Sequence, residues 1–464
     1  MGKLIITRDT KKADVKVTLT KKTSPKLPIG FKAKKGEFGI VGANINVGTK
    51  GIKNGEDWRE LGVKITKYLK TLEVKTVFMQ LNYDKQDCKA LLEGLHLGDY
   101  RFDKYKSQKN KSKLEEIMVD IACKDKGVDV DLHSLISNAR LAAESTNITR
   151  DWVNTTPEDA NSHTIEQAVR DMFANTVVKV DAYGEDNLKR FGMNGHLAVN
   201  RASRHEAKTI KLTYSPEYFK EHHVFVGKGL TYDSGGLSIK PGNYMTTMKA
   251  DKAGAMTLMG MMNYIAHNGA ASKITCYLGI AENMIDGSAY KPDDVLTMMN
   301  GKTVHVKNTD AEGRIVLFDN ICLAQKENKD ISTLHTLATL TGAAVYSFGD
   351  EVAALVGFND KLKSRVQKAG DKAGEIYMDA AFHKYMLDGV RDSLADLSNT
   401  GTPNMGCQKA GLFLTNAVKK KNKNKYVHWD IAGPAFVDTA FGHNPSGGTG
   451  FGVRTLINFV NNRK

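Results

Sequence analysis

The chain has 464 residues and a formal net charge of +14 at pH 7, a length that suits two or three domains of roughly 100–200 residues each. It has no run of about 18 apolar residues, and residues 1–6 lack the apolar core of a secretory signal, so we expect a cytoplasmic protein without a membrane span. The five cysteines are odd in number, widely spaced and without a C-x-x-C pair, which argues against a disulfide framework and a thiolate zinc site.

The first part of the chain is mixed in pattern and strongly basic. Strand patterns at residues 15–19 and 74–81, with a helix pattern at 58–69, predict a small α/β domain over residues 1–128. This segment holds 28 Lys and Arg against 16 Asp and Glu, a net charge of +12, whereas the remaining 336 residues hold 38 against 36. Two interpretations stay open: a lysine-rich solvated surface, or a surface that binds an anionic partner such as nucleic acid. The lysine-rich stretch at residues 104–113 is predicted to be a loop.

A long helix is predicted next. Apolar residues recur at helical spacing from residue 131 to residue 154, and Pro157 follows shortly after the last of them. We therefore predict that residues 129–153 form a linker helix between the N-terminal domain and a second domain at residues 154–464.

Strands and helices alternate in the second domain. Strand patterns occur at residues 176–183, 208–214, 224–226, 274–280, 334–340, 352–356 and 427–431. Helix patterns occur at residues 251–268, 313–325 and 407–419. The alternation predicts an α/β fold with a mostly parallel sheet covered by helices. Functional sites in such sheets lie beyond the carboxyl ends of the strands, and Lys228, Asp233 and the turn at residues 339–342 are predicted to fall there.

The run N-T-D-A-E-G-R at residues 308–314 carries two carboxylates that point to the same side of an extended segment. Asp310 and Glu312 therefore suit a divalent cation. Gly313 permits a turn, and Arg314 offers a planar fork of donors for an oxyanion. A solvated, charged turn is the alternative for this run by itself.

A second polar segment lies upstream and strengthens the metal interpretation. An apolar run at residues 224–226 leads into a glycine-rich loop predicted to display Lys228, Asp233 and Lys240. Asp251 follows at the start of a predicted apolar helix, where a carboxylate is favoured. Four carboxylates on glycine-rich loops favour a metal site over separate helix caps or turns. The glycine spacing does not match a P-loop, and the chain contains no H-E-x-x-H.

These segments closely resemble the signatures of the leucyl (cytosol) aminopeptidases, a family of two-metal exopeptidases that includes bacterial aminopeptidase A. N-T-D-A-E-G-R is the family hallmark, and the G-K-G-x-T-x-D-S-G-G-x-S-x-K-P segment at residues 227–241 also fits. Further matches are A-E-N-M at 281–284, G-K-T at 301–303, A-T-L-T-G-A at 338–343 and H-W-D-I-A-G at 428–433. The resemblance covers roughly residues 140–464. The first part of the chain shows no motif that we match, as expected for this family's variable N-terminal domain.

The resemblance implies two divalent metal ions, Mn or Zn, with Mg or Co as alternatives. One ion would be held by Lys228, Asp233, Asp251 and Glu312. The other would be held by Asp233, Asp310 and Glu312, together with the backbone carbonyl of Asp310. A lysine ligand must be neutral, so the metal's charge and partial burial would have to lower the pKa of Lys228.

The same resemblance assigns two cations to catalysis. Lys240 would polarise the scissile carbonyl, and Arg314 would hold bicarbonate as the general base. The substrate-binding residues that the resemblance implies are Met248, Asn308, Thr339, Leu340 and Gly342.

The implied protein is a metal-dependent aminopeptidase that releases N-terminal leucine or other bulky apolar residues from peptides by attack of a metal-bridged hydroxide. The family forms homohexamers. The alternative function is a nucleic-acid-binding architectural protein, which could also be bifunctional with the peptidase, although no nucleic-acid recognition motif is visible. Lys252 departs from the family pattern directly after Asp251, and the sequence leaves open whether it alters metal preference or faces solvent.

Overall fold

The computed structural model describes residues 5–7, 13–107, 113–121, 131–401 and 404–461. It divides into two compact units: Met1–Asn147 with Ala440–Asn444, and Ile148–Thr439 with Pro445–Lys464. The domain limits at residues 128 and 154 stay a prediction. No helix in the described part of the chain is long and apolar enough to cross a membrane.

The first unit is built on a mainly parallel sheet. Its elements are β1 (Ile5–Thr7), β2 (Val15–Thr20), β3 (Phe38–Val41), β4 (Asn44–Gly48), α1 (Gly55–Leu69), β5 (Thr76–Leu81), α2 (Lys85–Gly98) and β6 (Glu116–Ile121). The described strands lie in the order β1-β6-β5-β2-β4-β3, and neighbours are parallel except for the antiparallel pair β3 and β4. The predicted loop at 104–113 has no helix or strand at residues 104–107, and residues 108–112 lie outside the described part.

Helix α1 shows why this region folds as predicted. The side chain of Asn54 caps its N-terminus by accepting a hydrogen bond from the backbone N–H of Asp57 at 3.0 Å. Leu61, Ile65 and Leu69 recur at helical spacing and are buried in the apolar cluster that this helix shares with the sheet. The helix begins three residues before the predicted start, at Gly55.

The long helix α3 spans Leu132–Asn154, close to the predicted pattern at residues 131–154. The backbone N–H of Thr155 still donates to the carbonyl of Asp151, at 2.9 Å, and Pro157 follows. The helix ends there because a residue preceding proline is disfavoured in the helical conformation.

The second unit alternates strands and helices. Its first elements are α4 (Ser162–Phe173), β7 (Lys179–Tyr183), α5 (Glu185–Phe191), α6 (Asn194–Asn200), β8 (Lys208–Tyr214), β9 (His222–Asp233), a 3-10 helix (Met248–Lys252), α7 (Ala253–Asn268), β10 (Lys273–Asn283), β11 (Val295–Thr297) and β12 (Thr303–His305). The elements that follow are α8 (Glu312–Glu327), β13 (Thr333–Ala338), α9 (Gly342–Phe348), β14 (Val352–Val356), α10 (Asp360–Ala373), β15 (Ile376–Asp379), a 3-10 helix (Lys384–Val390), β16 (Leu397–Ser398), α11 (Gly406–Thr415), a 3-10 helix (Lys420–Lys425), β17 (Tyr426–Asp430), β18 (Phe436–Val437), β19 (Gly447–Gly448) and α12 (Val453–Asn461).

The main sheet of this unit has the order β15-β14-β17-β13-β9-β10-β8-β7. Its centre, from β17 through β13 and β9 to β10, is parallel, whereas β14 against β17 and the β10, β8, β7 edge are antiparallel. Helices α7 and α8 both pack on the central strands β9 and β10. The predicted class, an α/β protein with a mostly parallel sheet and helices, is confirmed.

The glycine-rich segment after residue 226 was predicted as a loop, and that prediction is wrong at its start. Strand β9 continues to Asp233, and Lys228 lies inside it, paired with Gly279 of β10. A Cβ at Gly227 would lie 2.7 Å from the Cα of Ala255, so glycine is needed here because α7 approaches the strand closely. The loop begins only after Asp233.

Candidate metal centre and active site

Lys228 is the central cation of the site. Its side chain is buried, and Nζ donates to Asp251 Oδ1 at 2.8 Å and to the carbonyl of Thr339 at 2.9 Å. Nζ also lies 2.9 Å from Glu312 Oε1. Because β9 is central in the sheet, this lysine connects three segments that are far apart in sequence.

Asp251 lies on the 3-10 helix Met248–Lys252, called here the 3-10 turn. The sequence predicted a helix from residue 251. The α-helix α7 instead begins at Ala253, because residues 248–252 adopt 3-10 geometry. Oδ1 of Asp251 accepts a hydrogen bond from the hydroxyl of Thr339 at 2.7 Å. The carboxylate therefore faces the end of β13.

Asp310 and Glu312 lie where the chain enters α8. The backbone N–H of Asp310 donates to Asn308 Oδ1 at 2.7 Å, which shapes the turn, and Glu312 is the first residue of the helix. Ligand oxygens of Asp233, Asp310 and Glu312 all lie within 4.8 Å of one another. That spacing suits carboxylates that share divalent ions.

Lys240 is the second cation among these carboxylates. Its Nζ lies 2.8 Å from Asp233 Oδ2 and 2.5 Å from Asp310 Oδ1. Gly235, in the loop that brings Lys240 back to the strand end, has a φ of +87°, a conformation that other residues rarely adopt.

The electrostatics of the cluster are those of crowded like charges. Burial by itself would lower the pKa of Lys228, but the carboxylates of Asp251 and Glu312 outweigh it and raise that pKa above its ordinary value. Burial raises the pKa of Asp233, and the neighbouring charges of Glu312 and Asp251 raise it further. The pKa of Lys240 is raised as well: burial opposes the shift, and Asp233 and Glu312 cause it. Positive charge in addition to the two lysines would stabilise these carboxylates.

Two carboxylate oxygens in the cluster have unused acceptor capacity. Among the described residues, Asp251 Oδ2 and Glu312 Oε2 are buried without a hydrogen-bond partner. A buried carboxylate oxygen without a partner is costly, and a divalent cation is a natural partner for it. The residues present therefore fit a site for divalent metal.

Arg314 lies behind the carboxylates on α8. It is buried, and Nη1 donates to the carbonyl of Asn399 at 2.6 Å, while Nε has no hydrogen-bond partner among the described residues. Burial lowers the pKa of this guanidinium, and the nearby charge of Glu312 opposes that effect. Donors thus remain for a small anion.

The residues predicted to bind substrate do not all make the same kind of contact: one lines a cavity, and others contact the charge cluster or the loop beside it. Met248 is half-buried and lines a cavity of about 390 Å³ together with Tyr244 and Asp438. Thr339 contacts Lys228 and Asp251 as described above. The backbone N–H of Leu340 donates to Asp430 Oδ1 at 3.2 Å, and Gly342 is the first residue of α9. The side-chain oxygen of Asn308 accepts the hydrogen bond from the backbone N–H of Asp310.

Several supporting residues were not assigned a role from the sequence. Asn283, at the end of β10, is buried and donates to Asp233 Oδ1 at 2.8 Å and to the carbonyl of Thr309 at 3.1 Å. Thr309 donates to the carbonyl of Gly235 at 2.6 Å and so links the two loops of the site. The A-E-N-M match was the available signal for Asn283, but it named no partner.

Asp430, at the end of β17, is a further residue that the sequence analysis did not assign. Its oxygens accept from the Thr341 hydroxyl at 2.7 Å and from the backbone N–H of Leu340 and Ala432, each at 3.2 Å. It therefore shapes the loop from Thr339 to Gly342. Its signal was the H-W-D-I-A-G match.

Lys252 does not face solvent. Its side chain is fully buried, and Nζ donates to the carbonyl of Thr155 at 3.0 Å and to that of Lys249 at 2.5 Å. The solvent-facing alternative from the sequence is wrong, because the 3-10 turn directs residue 252 inward.

Comparison with known proteins identifies the family. The catalytic-domain model of the cytosol aminopeptidase family matches residues 147–457, and the N-terminal-domain model of the same family matches residues 43–109. A probable cytosol aminopeptidase from Helicobacter hepaticus is 40% identical over 408 residues, 87% of this chain and 84% of that protein. One from Campylobacter jejuni is 39% identical over 377 residues, 80% of this chain and 77% of that protein.

A solved structure agrees with this match. The bottromycin maturation enzyme BotP in complex with Mn superposes with a TM-score of 0.86 and 28% identity, covering 97% of this chain and 99% of that one. The comparisons lend no support to the nucleic-acid alternative. The family resemblance seen in the sequence is confirmed: the chain belongs to the cytosol aminopeptidase family, and it is a metal-dependent aminopeptidase.

Proposed function

We propose that this site holds two divalent metal ions and hydrolyses the first peptide bond of peptides. Lys228, Asp233, Asp251 and Glu312 would hold one ion. Asp233, Asp310 and Glu312, with the backbone carbonyl of Asp310, would hold the other. The observation that carries the proposal is the pair of buried carboxylate oxygens without partners, Asp251 Oδ2 and Glu312 Oε2, in a cluster that already contains ligand oxygens within 4.8 Å of one another.

Bound divalent ions would polarise the scissile carbonyl and lower the pKa of water in the site. Oxygen-rich ligands suit Mn, Mg or Zn, and Mn or Zn is our first expectation, with Co as a further possibility. The raised pKa of Lys228 means that its amine is protonated in the metal-free protein at neutral pH. Its amine must lose a proton to become a ligand, so metal uptake should release a proton to the solvent.

Lys240 is proposed to stabilise the negative charge that develops on the substrate's carbonyl oxygen. Its Nζ lies between Asp233 and Asp310, so it is held at the carboxylates rather than free in solvent. If those two carboxylates held metal, the donors of Lys240 would be available to the substrate's carbonyl oxygen.

Arg314 is proposed to hold a bicarbonate ion that accepts a proton during the reaction. The guanidinium is fixed by one hydrogen bond to Asn399, and Nε has no partner among the described residues. A planar guanidinium with unused donors is suited to a planar oxyanion.

The substrates are proposed to be peptides with leucine or another bulky apolar residue at the N-terminus. The support is the half-buried Met248 beside its cavity, together with the loop of Thr339, Leu340 and Gly342, in which the Thr339 hydroxyl donates to Asp251. Asn308 is proposed to contribute to substrate binding through the turn that it shapes. A homohexamer is the assembly that we expect from the family resemblance.

The test combines metal counting with a substrate panel. Purified protein is stripped of metal with a chelator, and the metal-free protein is titrated with Mn²⁺ by calorimetry. The Mn²⁺-loaded protein is then assayed on aminoacyl substrates that differ only in the first residue. Two bound ions per chain and faster hydrolysis of leucyl than of glycyl or aspartyl substrates are expected. One ion per chain, or full activity after stripping, would refute the two-metal assignment. The Asp251→Asn variant should lose one binding event, whereas Asp371→Asn, at an exposed position of helix α10, should keep both.

A further inference from the structure

Lys252 is a side chain that the proposed chemistry does not use. It follows Asp251 directly, and none of its surface is exposed. Placing a lysine nitrogen in the interior is unfavourable unless backbone or side-chain acceptors receive its hydrogen bonds. The buried nitrogen of Lys252 therefore needs hydrogen-bond acceptors that compensate for the loss of water.

Two backbone carbonyls are among those acceptors. One belongs to Lys249, inside the 3-10 turn, and lies 2.5 Å from Nζ. The other belongs to Thr155, directly after the last residue of α3, and lies 3.0 Å from Nζ. Carbonyls at a helix C-terminus lack partners inside the helix and carry the negative end of the helix dipole. Lys252 thus ties the 3-10 turn to the end of α3.

The 3-10 turn needs such support. It is preceded by Thr247 with a φ of +78°, a conformation that a β-branched residue adopts only when its surroundings hold it. On the opposite side, a Cβ at Gly254 would lie 2.2 Å from the carbonyl oxygen of Leu337, so the segment is seated tightly against β13. The position of Asp251 is therefore determined by the contacts of the turn rather than by a regular helix.

We propose that Lys252 is a positioning residue of the metal centre. Its hydrogen bonds to the carbonyls of Thr155 and Lys249 fix the backbone of the 3-10 turn, and the turn sets where the carboxylate of Asp251 meets Lys228. The hydroxyl of Thr339 donates to the same carboxylate oxygen as Lys228, at 2.7 Å. This inference rests on the proposed role of Asp251 as a ligand to a divalent metal ion.

The experiment compares two lysines of the same turn. Lys252→Met keeps most of the length of the side chain and removes its donors. Lys249→Met is the matched control: the Lys249 side chain is half-buried, with Nζ 5.9 Å from the ring centre of Phe436, and its loss removes the same charge from the same turn. Mn²⁺ binding to the full chain is measured by calorimetry, and folding by near-ultraviolet circular dichroism and urea unfolding.

Lys252→Met should weaken one of the Mn²⁺ binding events by about 10- to 100-fold, as for other groups that orient metal ligands, while Lys249→Met stays within about twofold of the parent. A folded Lys252→Met protein with parental Mn²⁺ affinity would overturn the proposal. Equal weakening in both variants would also overturn it, because charge rather than position would then be the cause.

A third variant covers the case in which Lys252→Met does not fold. Lys252→Gln keeps a shorter donor, and it should weaken the same binding event by less than Lys252→Met does. If Lys252→Met is unfolded and Lys252→Gln binds Mn²⁺ with parental affinity, Lys252 contributes to folding stability and its role in positioning the metal ligand is refuted. The proposed function fails in a different way: Asp251→Asn would then leave Mn²⁺ binding unchanged.

Discussion

Replacing Gly313 by alanine should separate metal binding from folding. Gly313 is the second residue of α8, and a Cβ there would lie 2.4 Å from Cε and 2.7 Å from Nζ of Lys228. Ordinary contacts begin at 3.4 Å, so the lysine must retreat by about 1 Å. Its hydrogen bonds of 2.8–2.9 Å to Asp251 and Thr339 would then be stretched beyond hydrogen-bond length.

The expected magnitudes differ for the two properties. Alanine is favoured over glycine inside a helix by up to about 1 kcal/mol, and overpacking costs about 1–3 kcal/mol, so the free energy of unfolding should fall by no more than about 3 kcal/mol. A displacement of about 1 Å at a reacting centre can cost about 10²-fold in rate. We therefore expect a folded Gly313→Ala protein with kcat lowered at least about 100-fold and with weakened Mn²⁺ binding.

The assay measures Mn²⁺ affinity by calorimetry, kcat on a leucyl substrate and the urea midpoint of unfolding. Gly55→Ala is the matched control: Gly55 is the first residue of α1, and within the described part of the chain its new Cβ would meet the Cβ of Ala90 alone, at an ordinary 3.7 Å. Parental affinity and kcat in Gly313→Ala would refute the reasoning that places the Lys228 amine at the metal.

Three further predictions concern the charge cluster and a buried histidine. Lys240→Ala should lower kcat by about 10²-fold or more with a smaller change in KM, as measured by steady-state kinetics; an unchanged kcat would contradict its catalytic role. Removing metal with a chelator should abolish hydrolysis and lower Tm, and Mn²⁺, Zn²⁺ or Co²⁺ should restore activity; Asp310→Ala and Glu312→Ala should stay inactive after the same treatment. Burial lowers the pKa of His196 to about 4, although a hydrogen bond with the carbonyl of Ile280 opposes the shift. Because the unfolded state binds this proton below about pH 6.5 and the folded state does not, stability is lost as pH falls from about 6.5 towards 4, by about 2 kcal/mol between pH 7 and pH 5. Urea unfolding at both pH values checks this, and His196→Gln should show a smaller difference.

The sequence by itself determined the family, the α/β class and the chemical types at the site. Period and composition were sufficient for α1 and α3, because their apolar residues recur at helical spacing over three or more turns. The hallmark run with Asp310 and Glu312 was recognisable from local sequence, although the extended segment expected there is a turn that leads into the first residue of α8. Motifs of this kind are readable because a turn that presents two carboxylates depends on neighbouring residues.

Tertiary structure decided what those residues contact. Lys228 was predicted on a loop but lies inside β9, since pairing with β10 and the close approach of α7 override the local preference of glycine for turns. Asn283 contacts Asp233, which lies 50 residues earlier in the chain, and Asp430 contacts Leu340, which lies 90 residues earlier. No local sequence pattern encodes such contacts.

Lys252 shows the same limit most clearly. The sequence could mark it as unusual beside Asp251, but whether it faced solvent or the interior depended on the carbonyl of Thr155, 97 residues earlier in the chain. Burial of a lysine is decided by the acceptors that the fold brings to it, and those acceptors are backbone atoms that carry no sequence signal.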